Sequence, residues 1–471
     1  MSILSNTPIQ QTDILIIGGG PAGASAGLAL LKRGDLKVCI VEPEAATEHR
    51  YVEHLASKAR ATLEYLEVWD EFKATQALQA ATSEVVWGMP ALRPLNSMFD
   101  TQTAVWPIER QSFEQLLADV FVRRGGQWLA ATQVVTCVRH AKRGWMVQLK
   151  SAQGETRVVM CKFIIDASGR RGVMRTNLNL GLCVHDRLVG VSSVGSMCPA
   201  EAQLEVEHRI EACEYGWWMI APLPDNRVSV TLMSDPDVIN EKHATNPEVW
   251  QKLLKQLPVS GAVMSRVVFD EAPRAFPFYS SYLREAGGKD WVAVGDAVAC
   301  FDPITSVGLA RALASGVHGA YLAVDSMFST GELLPAYSHA IVQEFKQNQQ
   351  KQWQVYQREA RWASAPFWAR RRAVLAVSLS AKVSERHFFA PKIDRAPLHL
   401  KGNELQDLWT MCTPDRSFKE IVQEFAQHNP QMPEHKILLG LQELVERAFI
   451  DLSVDEEEDS VFANTERFMF E

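Results

Sequence analysis

The pattern of apolar positions predicts a strand, a glycine turn, a helix and a second strand in the first 45 residues. Residues 13–19 (DILIIGG) form an apolar run bounded by glycines, which is typical of a strand buried on both faces. The Ala/Leu-rich stretch 22–34 (AGASAGLALLKRG) ends on Lys32, Arg33 and Gly34, as helices often do. The next apolar run, LKVCIVEPE, predicts a second strand that leads into Glu42.

The pattern along the remaining chain predicts an α/β (α+β) fold in several parts. Residues 51–82 and 330–384 have helical spacing, 186–233 are rich in β-formers, and three β-rich runs over 128–165 predict an antiparallel meander that returns to the first sheet. We therefore predict a large module over 1–384, a linker over 385–400, a small domain over 401–456 and an acidic tail over 457–471. Within the module we expect nucleotide-binding parts at 10–75, 105–185 and 270–330, and substrate-binding parts at 76–104, 186–269 and 331–384.

Composition narrows the class of protein. The 471 residues are 47% hydrophobic and 22% charged, which is typical of a globular chain, and the formal net charge of −8 argues against a nucleic-acid partner. Eight scattered cysteines without a CxxC pair favour reduced core thiols over disulfides or a metal site, so we expect no metal. No signal peptide is evident and no apolar run reaches the roughly 18 residues of a membrane helix, so we expect a cytoplasmic protein without membrane contact.

The glycine turn has the spacing of a dinucleotide site. Gly18, Gly20 and Gly23 form GxGxxG between the first strand and its helix, where the backbone can approach a pyrophosphate at the positive end of the helix. Glu42 ends the next strand, where a carboxylate accepts hydrogen bonds from an adenosine ribose. The alternative is a purely structural turn, and the motif alone does not distinguish NAD from FAD.

A second strand–turn–helix element favours FAD. Residues 291–320 place Gly295 and Asp296 after a strand, where Asp296 is suited to the ribityl hydroxyls of a flavin. The small-residue helix that begins near Ser306, Val307 and Gly308 would direct its positive end at the isoalloxazine ring. The alternative is another structural turn in which Asp296 caps a helix.

These motifs resemble a known family over roughly residues 10–384. GGGPAGASAG, FIIDASGRRG, GDAVACFDPITSVG, VWPIERQSFEQLL and GWWMIAPLPDNRVSV are similar to group A flavoprotein monooxygenases and flavin-dependent tryptophan halogenases. The set most resembles the halogenase-like flavoproteins that mature cysteine tryptophylquinone by oxygenating a tryptophan of a quinoprotein oxidase or dehydrogenase. The resemblance implies an FAD-binding Rossmann-like domain of the p-hydroxybenzoate hydroxylase type with an inserted β-sheet substrate domain. It also implies that Arg110 contacts the flavin.

The resemblance leaves hydroxylation and halogenation to be distinguished. Both begin with a flavin C4a-hydroperoxide, and the resemblance implies that halogenases pass hypohalous acid to a lysine. No lysine occurs between Lys73 and Lys142, while Lys58 and Lys73 lie in surface-like helical contexts. A WxWxIP stretch of halogenases is matched at Trp217, Ile220 and Pro222, but Met219 replaces the second tryptophan. Direct oxygenation is therefore favoured.

Catalytic groups are not identified by the sequence. Trp217 and Trp218 are candidates for stacking on a substrate, although adjacent strand residues point to opposite faces. Glu84, Asp302 and His318 are candidate polar groups of a pocket, each of which is also explained as a cap or a surface residue.

The segment 405–452 resembles the small winged-helix peptide chaperone of pyrroloquinoline quinone biosynthesis. Ser417 and Glu420 predict a capping box at the start of its second helix. The resemblance implies a module that binds a precursor peptide, and the alternative is a packing or dimerisation element.

The expected activity is FAD-dependent hydroxylation, with O₂, of a tryptophan in a precursor protein or peptide. The alternatives are a small-molecule aromatic hydroxylase or halogenase of secondary metabolism, and a flavin-binding chaperone without turnover. Because no second GxGxxG is present, electrons come either directly from NADH or NADPH or from a separate flavin reductase.

Overall fold

The computed structural model describes residues 9–43, 53–75, 83–94, 105–108, 110–140, 144–198, 208–223, 226–329, 331–373, 379–387, 398–447 and 449–452. The predicted acidic tail over 457–471 lies outside these residues.

The first sheet is formed by six strands and carries the predicted glycine turn. Its apolar strand Ile14–Ile17 is almost completely buried, because helices cover one face of the sheet and a group of antiparallel strands covers the other. The helices Pro21–Leu31, Arg110–Arg123 and Gly308–Phe328 pack beside this strand. The strands are parallel except at one edge, in the order Gly287–Gly288, Trp291–Ala293, Phe163–Asp166, Ile14–Ile17, Val38–Val41 and Gln127–Leu129.

The predicted meander is confirmed. Thr132–His140, Gly144–Ser151 and Thr156–Cys161 pair in antiparallel order, and Ile9–Gln11 adds a parallel strand. The chain then enters the first sheet as Phe163–Asp166.

The second sheet has eight strands and packs helices on both faces. One face carries the short helices Pro236–Glu241, Pro247–Lys255 and Gly261–Met264. The other face carries the end of Leu333–Gln357 and the helix Pro366–Arg372. Its strand order is Val267–Phe269, Val189–Met197, Arg227–Ser234, Gly216–Leu223, His208–Cys213, Ser83–Val86 and Arg93–Pro94, and Arg274–Pro277 also pairs with Val189–Met197.

Shorter elements connect the two sheets. Residues 51–82, predicted to be helical, contain a strand before two helices, because Glu53–Ala56 pairs with Val105–Ile108; residues 76–82 lie outside the described residues. The other short elements are the helices Ala59–Tyr65, Trp69–Thr75 and Val173–Asn177 and a sheet of Leu182–Val184, Ser281–Leu283 and Ala299–Cys300.

The residues described between 379 and 452, here named the C-terminal unit, have a separate apolar core. The predicted capping box is confirmed, since Glu420 N–H donates to Ser417 Oγ and Ser417 N–H donates to Glu420 Oε2. Val383–Arg386 pairs with Ile450–Leu452, so this unit begins before the linker predicted from residue 385. The helices are Gly402–Met411, Phe418–His428 and Glu434–Glu446.

All eight cysteines lie among the described residues and none forms a disulfide. Among the described helices, none has the length and apolar character to cross a membrane.

Candidate functional site

Four turns meet at one edge of the first sheet. They follow the neighbouring parallel strands Ile14–Ile17, Val38–Val41, Phe163–Asp166 and Trp291–Ala293. In open parallel sheets, ligands bind beyond the carboxyl ends of the strands. The topology therefore brings together the two motifs that the sequence separates by more than 250 residues.

Two glycines of the first turn are required by close approach of the backbone. Gly18 has φ +103°, and a Cβ there would lie 2.3 Å from the carbonyl oxygen of Ala167. A Cβ on Gly23 would lie 1.9 Å from the Gly18 carbonyl oxygen. Gly20 is less constrained, since a Cβ there would make only ordinary contacts with the side chains of Glu114 and Arg110, at 3.6 and 3.8 Å. This arrangement fits the backbone cradle expected for a pyrophosphate.

The helix Gly308–Phe328 reaches the same site by packing closely on Pro21–Leu31. A Cβ on Gly316 would lie 2.1 Å from Ala22 O, and Ser25 Oγ donates to Leu313 O at 2.7 Å. No side chain caps the start of this helix, and Gly308 and Leu309 line the cavity, so the positive end of the helix dipole lies at the cavity wall.

A cavity of about 550 Å³ opens at these turns. Of the residues predicted to bind a cofactor, Gly23, Gly295 and Val307 do not line the cavity but form the backbone turns behind it. The lining contains the other predicted residues: Gly18, Gly20, Glu42, Arg110, Asp296, Ser306 and Gly308, together with the catalytic candidate Asp302.

The outer part of the cavity is charged. Glu42 Oε2 accepts the Gly19 N–H, and Arg110 Nε lies 2.6 Å from Glu114 Oε1. Arg170 was not singled out by the sequence, although it lies in the FIIDASGRRG motif. Its guanidinium donates to Tyr279 O at 2.8 Å and lies 4.0 Å from Asp296 Oδ2. These donors and acceptors fit the phosphates and hydroxyls of the expected flavin nucleotide.

The turn after Phe163–Asp166 is fixed by a buried carboxylate. Asp166 accepts hydrogen bonds from Ser168 N–H, Ser168 Oγ and Met174 N–H. Burial raises the pKa of Asp166, and these hydrogen bonds oppose the rise. Asp166 therefore holds the backbone that presents Arg170.

The inner end of the cavity is mostly apolar and reaches the second sheet. Ile210 and Met219, which pair across two strands, line it together with Phe278 and Phe301. Sequence reasoning did not select Ile210, Phe278 or Phe301, since alternation identifies a face of a strand but not what covers that face. The cavity thus joins a polar end suited to a nucleotide to an apolar end suited to an aromatic ring.

Asp302 lies at the inner end and is almost completely buried. Its Oδ2 accepts hydrogen bonds from Tyr356 Oη and Gln352 Nε2, both at 2.8 Å, and its Oδ1 accepts the Ile304 N–H at 2.9 Å. Burial, followed by the nearby Asp186 carboxylate, raises the pKa of Asp302 to about 6, while Arg371 and the hydrogen bonds lower it. The carboxylate is therefore turned toward the helix Leu333–Gln357.

The two tryptophan candidates are core residues and neither lines the cavity. Trp218 packs edge-on against Trp250, with ring centroids 5.3 Å apart, on the outer face of the second sheet. Trp217 lies on the face that Met219 shares, but Tyr356 and Trp368 cover it. The expected opposite orientation of the two side chains is present; direct stacking on a substrate in the cavity is not supported by their positions.

The remaining candidates lie away from the cavity. Glu84 forms an ion pair with Arg209, with Oε2 and Nη2 2.6 Å apart, and His318 is exposed on the helix Gly308–Phe328. His318 thus fits the alternative of a surface residue, whereas the ion pair of Glu84 was not predicted by the sequence. Lys58 and Lys73 are also exposed, as predicted.

One group of described residues has the spacing of metal ligands, although the sequence predicted no metal. Ligand atoms of Glu385, His387 and Asp451 lie within 4.8 Å of one another on the surface of the C-terminal unit. His387 Nε2 lies 2.8 Å from Asp451 Oδ2, and this contact raises the pKa of the imidazole. An exposed ion pair is sufficient to explain the group.

Comparison with known proteins identifies the family to which the cavity-forming part of the chain belongs. A family model described as "FAD binding domain" matches residues 11–318. The chain is 28% identical over 374 residues to the putative FAD-dependent oxidoreductase LodB of Marinomonas mediterranea, covering 78% of this chain and 99% of that protein. It is 26% identical over 334 residues to tryptophan 2-halogenase of Chondromyces crocatus, covering 68% of this chain and 61% of the halogenase.

Solved structures confirm the predicted α/β fold of the nucleotide-binding part. The myxobacterial chondrochloren halogenase CndH is similar with a TM-score of 0.68 and 19% identity, covering 78% of this chain and 86% of that one. The peptidyl tryptophan dihydroxylase QhpG, essential for tryptophylquinone cofactor biogenesis, is similar with a TM-score of 0.61 and 19% identity, covering 93% of this chain and 99% of that one. At these identities the likeness establishes the fold alone.

Proposed function

This chain belongs to the FAD binding domain family and is a flavin-dependent oxidoreductase of the monooxygenase type, and we propose that it hydroxylates a tryptophan side chain of a precursor protein or peptide. The observation that carries the proposal is a continuous cavity, which joins the glycine turn to an apolar end on the second sheet.

The chain has residues suited to each part of FAD. Gly18, Gly20 and the start of Pro21–Leu31 would hold the pyrophosphate, and Glu42 the adenosine ribose. Arg110 and Asp296 would contact the flavin portion. The loop 302–308 and the helix that follows it would hold the isoalloxazine ring. Bound FAD supplies the chemistry of oxygen activation, with electrons from NADH or NADPH or from a separate reductase.

The apolar inner end favours an aromatic substrate. Met219, Ile210 and Phe278 provide an apolar surface on which an indole ring can pack. An indole is electron-rich, so oxygen transfer to it requires little acid or base assistance from the protein. Binding and orientation by these side chains are the main contributions of the chain.

Oxygen transfer is favoured over halogenation because no lysine is among the described residues that line the cavity. The sequence adds that none occurs between Lys73 and Lys142. A halogenase mechanism that relays the halogen through a lysine therefore lacks its carrier here.

A polypeptide substrate is supported by two observations. The fold likeness to the peptidyl tryptophan dihydroxylase QhpG extends over 93% of this chain. The C-terminal unit, which resembles a peptide-binding winged-helix module, has its own core and an edge strand, Ile450–Leu452, to which an extended segment can pair.

The proposal is tested by comparing substrates under identical conditions. The protein, FAD, NADH, a flavin reductase and O₂ are incubated with free tryptophan, with a short tryptophan peptide, or with a quinoprotein oxidase or dehydrogenase precursor, with and without chloride. We expect an oxygenated tryptophan in the precursor and no requirement for chloride. Turnover of free tryptophan alone, or a chlorinated product, would identify the small-molecule alternative instead.

A further inference from the structure

Tyr356 lies behind the inner end of the cavity and joins its two walls. Its hydroxyl donates to Asp302 Oδ2 at 2.8 Å and accepts a hydrogen bond from Trp217 Nε1 at 3.1 Å. All three side chains are buried to at least 99%. The hydroxyl group of Tyr356 therefore connects Asp302, in a loop at the cavity edge of the first sheet, to Trp217 on a strand of the second sheet.

The two partners of Tyr356 lie beside cavity-lining residues of opposite walls. Trp217 precedes Met219 by two residues on the strand Gly216–Leu223, so both side chains project from the same face. Asp302 begins the loop 302–308, and its carboxylate also caps the short helical turn Pro303–Thr305 through Ile304 N–H. A displacement of Tyr356 would therefore change the separation between Met219 and this loop.

The ring of Tyr356 is itself held rigidly. Trp87, Trp368 and Phe367 surround it with ring centroids 5.9 to 6.0 Å away. The Arg371 guanidinium lies 5.5 Å from the centre of the ring and is fixed by Asp235, with Nη2 and Oδ1 2.8 Å apart. Such packing restricts the rotamer of the tyrosine, which a positioning residue requires.

We propose that Tyr356 is a positioning residue that sets the width of the inner cavity by bracing the loop 302–308 against the second sheet. The catalytic consequence rests on the proposed function, in which this loop holds the isoalloxazine ring and Met219 contacts the substrate. The brace itself is a property of the protein without cofactor.

The brace is tested first in the protein without FAD by hydrogen–deuterium exchange. Tyr356→Phe removes the hydroxyl and keeps the ring, so the amides of residues 304–308 are expected to exchange about tenfold faster, as for the loss of one hydrogen bond to a charged group. Tyr337→Phe is the matched control, because Tyr337 lies on the same helix and is also buried. Its hydroxyl donates a hydrogen bond of 3.0 Å to Ala293 O, which is not part of this loop. Unchanged exchange at 304–308 in Tyr356→Phe, or an equal change in both variants, would overturn the inference.

A second readout follows the bound flavin. In Tyr356→Phe, but not in Tyr337→Phe, we expect a shifted visible absorption spectrum of FAD and a larger fraction of reduced flavin that is oxidised without product. An unshifted spectrum together with unchanged coupling would contradict the positioning role. Faster exchange at 304–308 in a protein that oxygenates no substrate would support the brace and contradict only the proposed function.

Discussion

The contact between the C-terminal unit and the rest of the chain contains three partly buried histidines that are neutral at pH 7. His185 of the large module and His435 of the C-terminal unit stack with ring centroids 4.5 Å apart. Burial, followed by Lys436 and Arg371, lowers the pKa of His185 to about 3. Burial, followed by His185 and Lys436, lowers the pKa of His435 well below its usual value. Two charged rings at this distance would repel each other, so acid is expected to separate the two parts.

A third histidine at this contact, His399, also has a lowered pKa. His399 lies next to Leu398, whose carbonyl oxygen accepts a hydrogen bond from Arg370 Nε at 2.7 Å. Burial, followed by Arg370, lowers the pKa of His399 to about 4. Further charged groups that influence these three imidazoles or the adjoining Lys436 are Arg187, Asp186, Asp235, Glu404 and Arg447.

The loss of docking free energy at low pH follows from proton linkage. A histidine whose pKa is lowered by docking contributes its full stabilisation above its usual pKa of 6.5, and this is lost as the pH falls toward the pKa of the docked state. Because one pH unit corresponds to about 1.4 kcal/mol per group, lowering the pH to about 5 weakens docking by ~2 kcal/mol for each histidine.

Hydrogen–deuterium exchange of the helix Glu434–Glu446, compared at about pH 7.5 and pH 5 after correction for intrinsic rates, measures this docking. Protection is expected to fall at the lower pH, and His185→Phe, which keeps an aromatic ring beside Phe345 and cannot titrate, is expected to retain more of it. His318→Phe serves as control because His318 is exposed. Equal protection at both pH values in the unmodified protein, or an identical loss in His185→Phe, would contradict histidine-controlled docking.

Two substitutions test the frame around the cavity. Gly23→Ala places a Cβ 1.9 Å from Gly18 O and is expected to weaken FAD binding at least about tenfold in titrations of the protein without cofactor. Gly402→Ala, where a Cβ meets no atom within 4 Å, should leave the affinity unchanged, and equal affinities for both variants would contradict the assigned turn. Asp235→Asn leaves the buried Arg370 and Arg371 without their shared carboxylate and is expected to lower the free energy of unfolding by about 3–5 kcal/mol in chemical denaturation. Asp237→Asn, which affects a carboxylate 38% exposed, should cost less than about 1 kcal/mol, and similar losses in the two variants would argue against a buried network.

Features written in short stretches of sequence were predictable. Gly18 has a positive φ and Gly23 packs on the Gly18 carbonyl oxygen within one short turn, and the Ser417–Glu420 capping box depends on residues three apart. The opposite orientation of the Trp217 and Trp218 side chains followed from strand geometry.

What covers a side chain was not predictable. Trp217 was a candidate for substrate stacking, yet Tyr356, 139 residues away along the chain, lies over it and links it to Asp302. The apolar inner wall was missed for the same reason, since Ile210, Phe278 and Phe301 come together only when the second sheet closes over the ligand edge of the first. Tertiary packing, rather than local pattern, assigns these positions.

The most direct test of the proposed activity is the origin of the atom added to tryptophan. The protein is supplied with FAD, reductant, a chloride-containing buffer, a tryptophan-containing precursor and ¹⁸O₂, and the modified residue is analysed by peptide mass spectrometry. We expect ¹⁸O in the indole ring and no chlorine. A chlorinated ring, or an unmodified tryptophan despite oxidation of the reduced flavin, would contradict it.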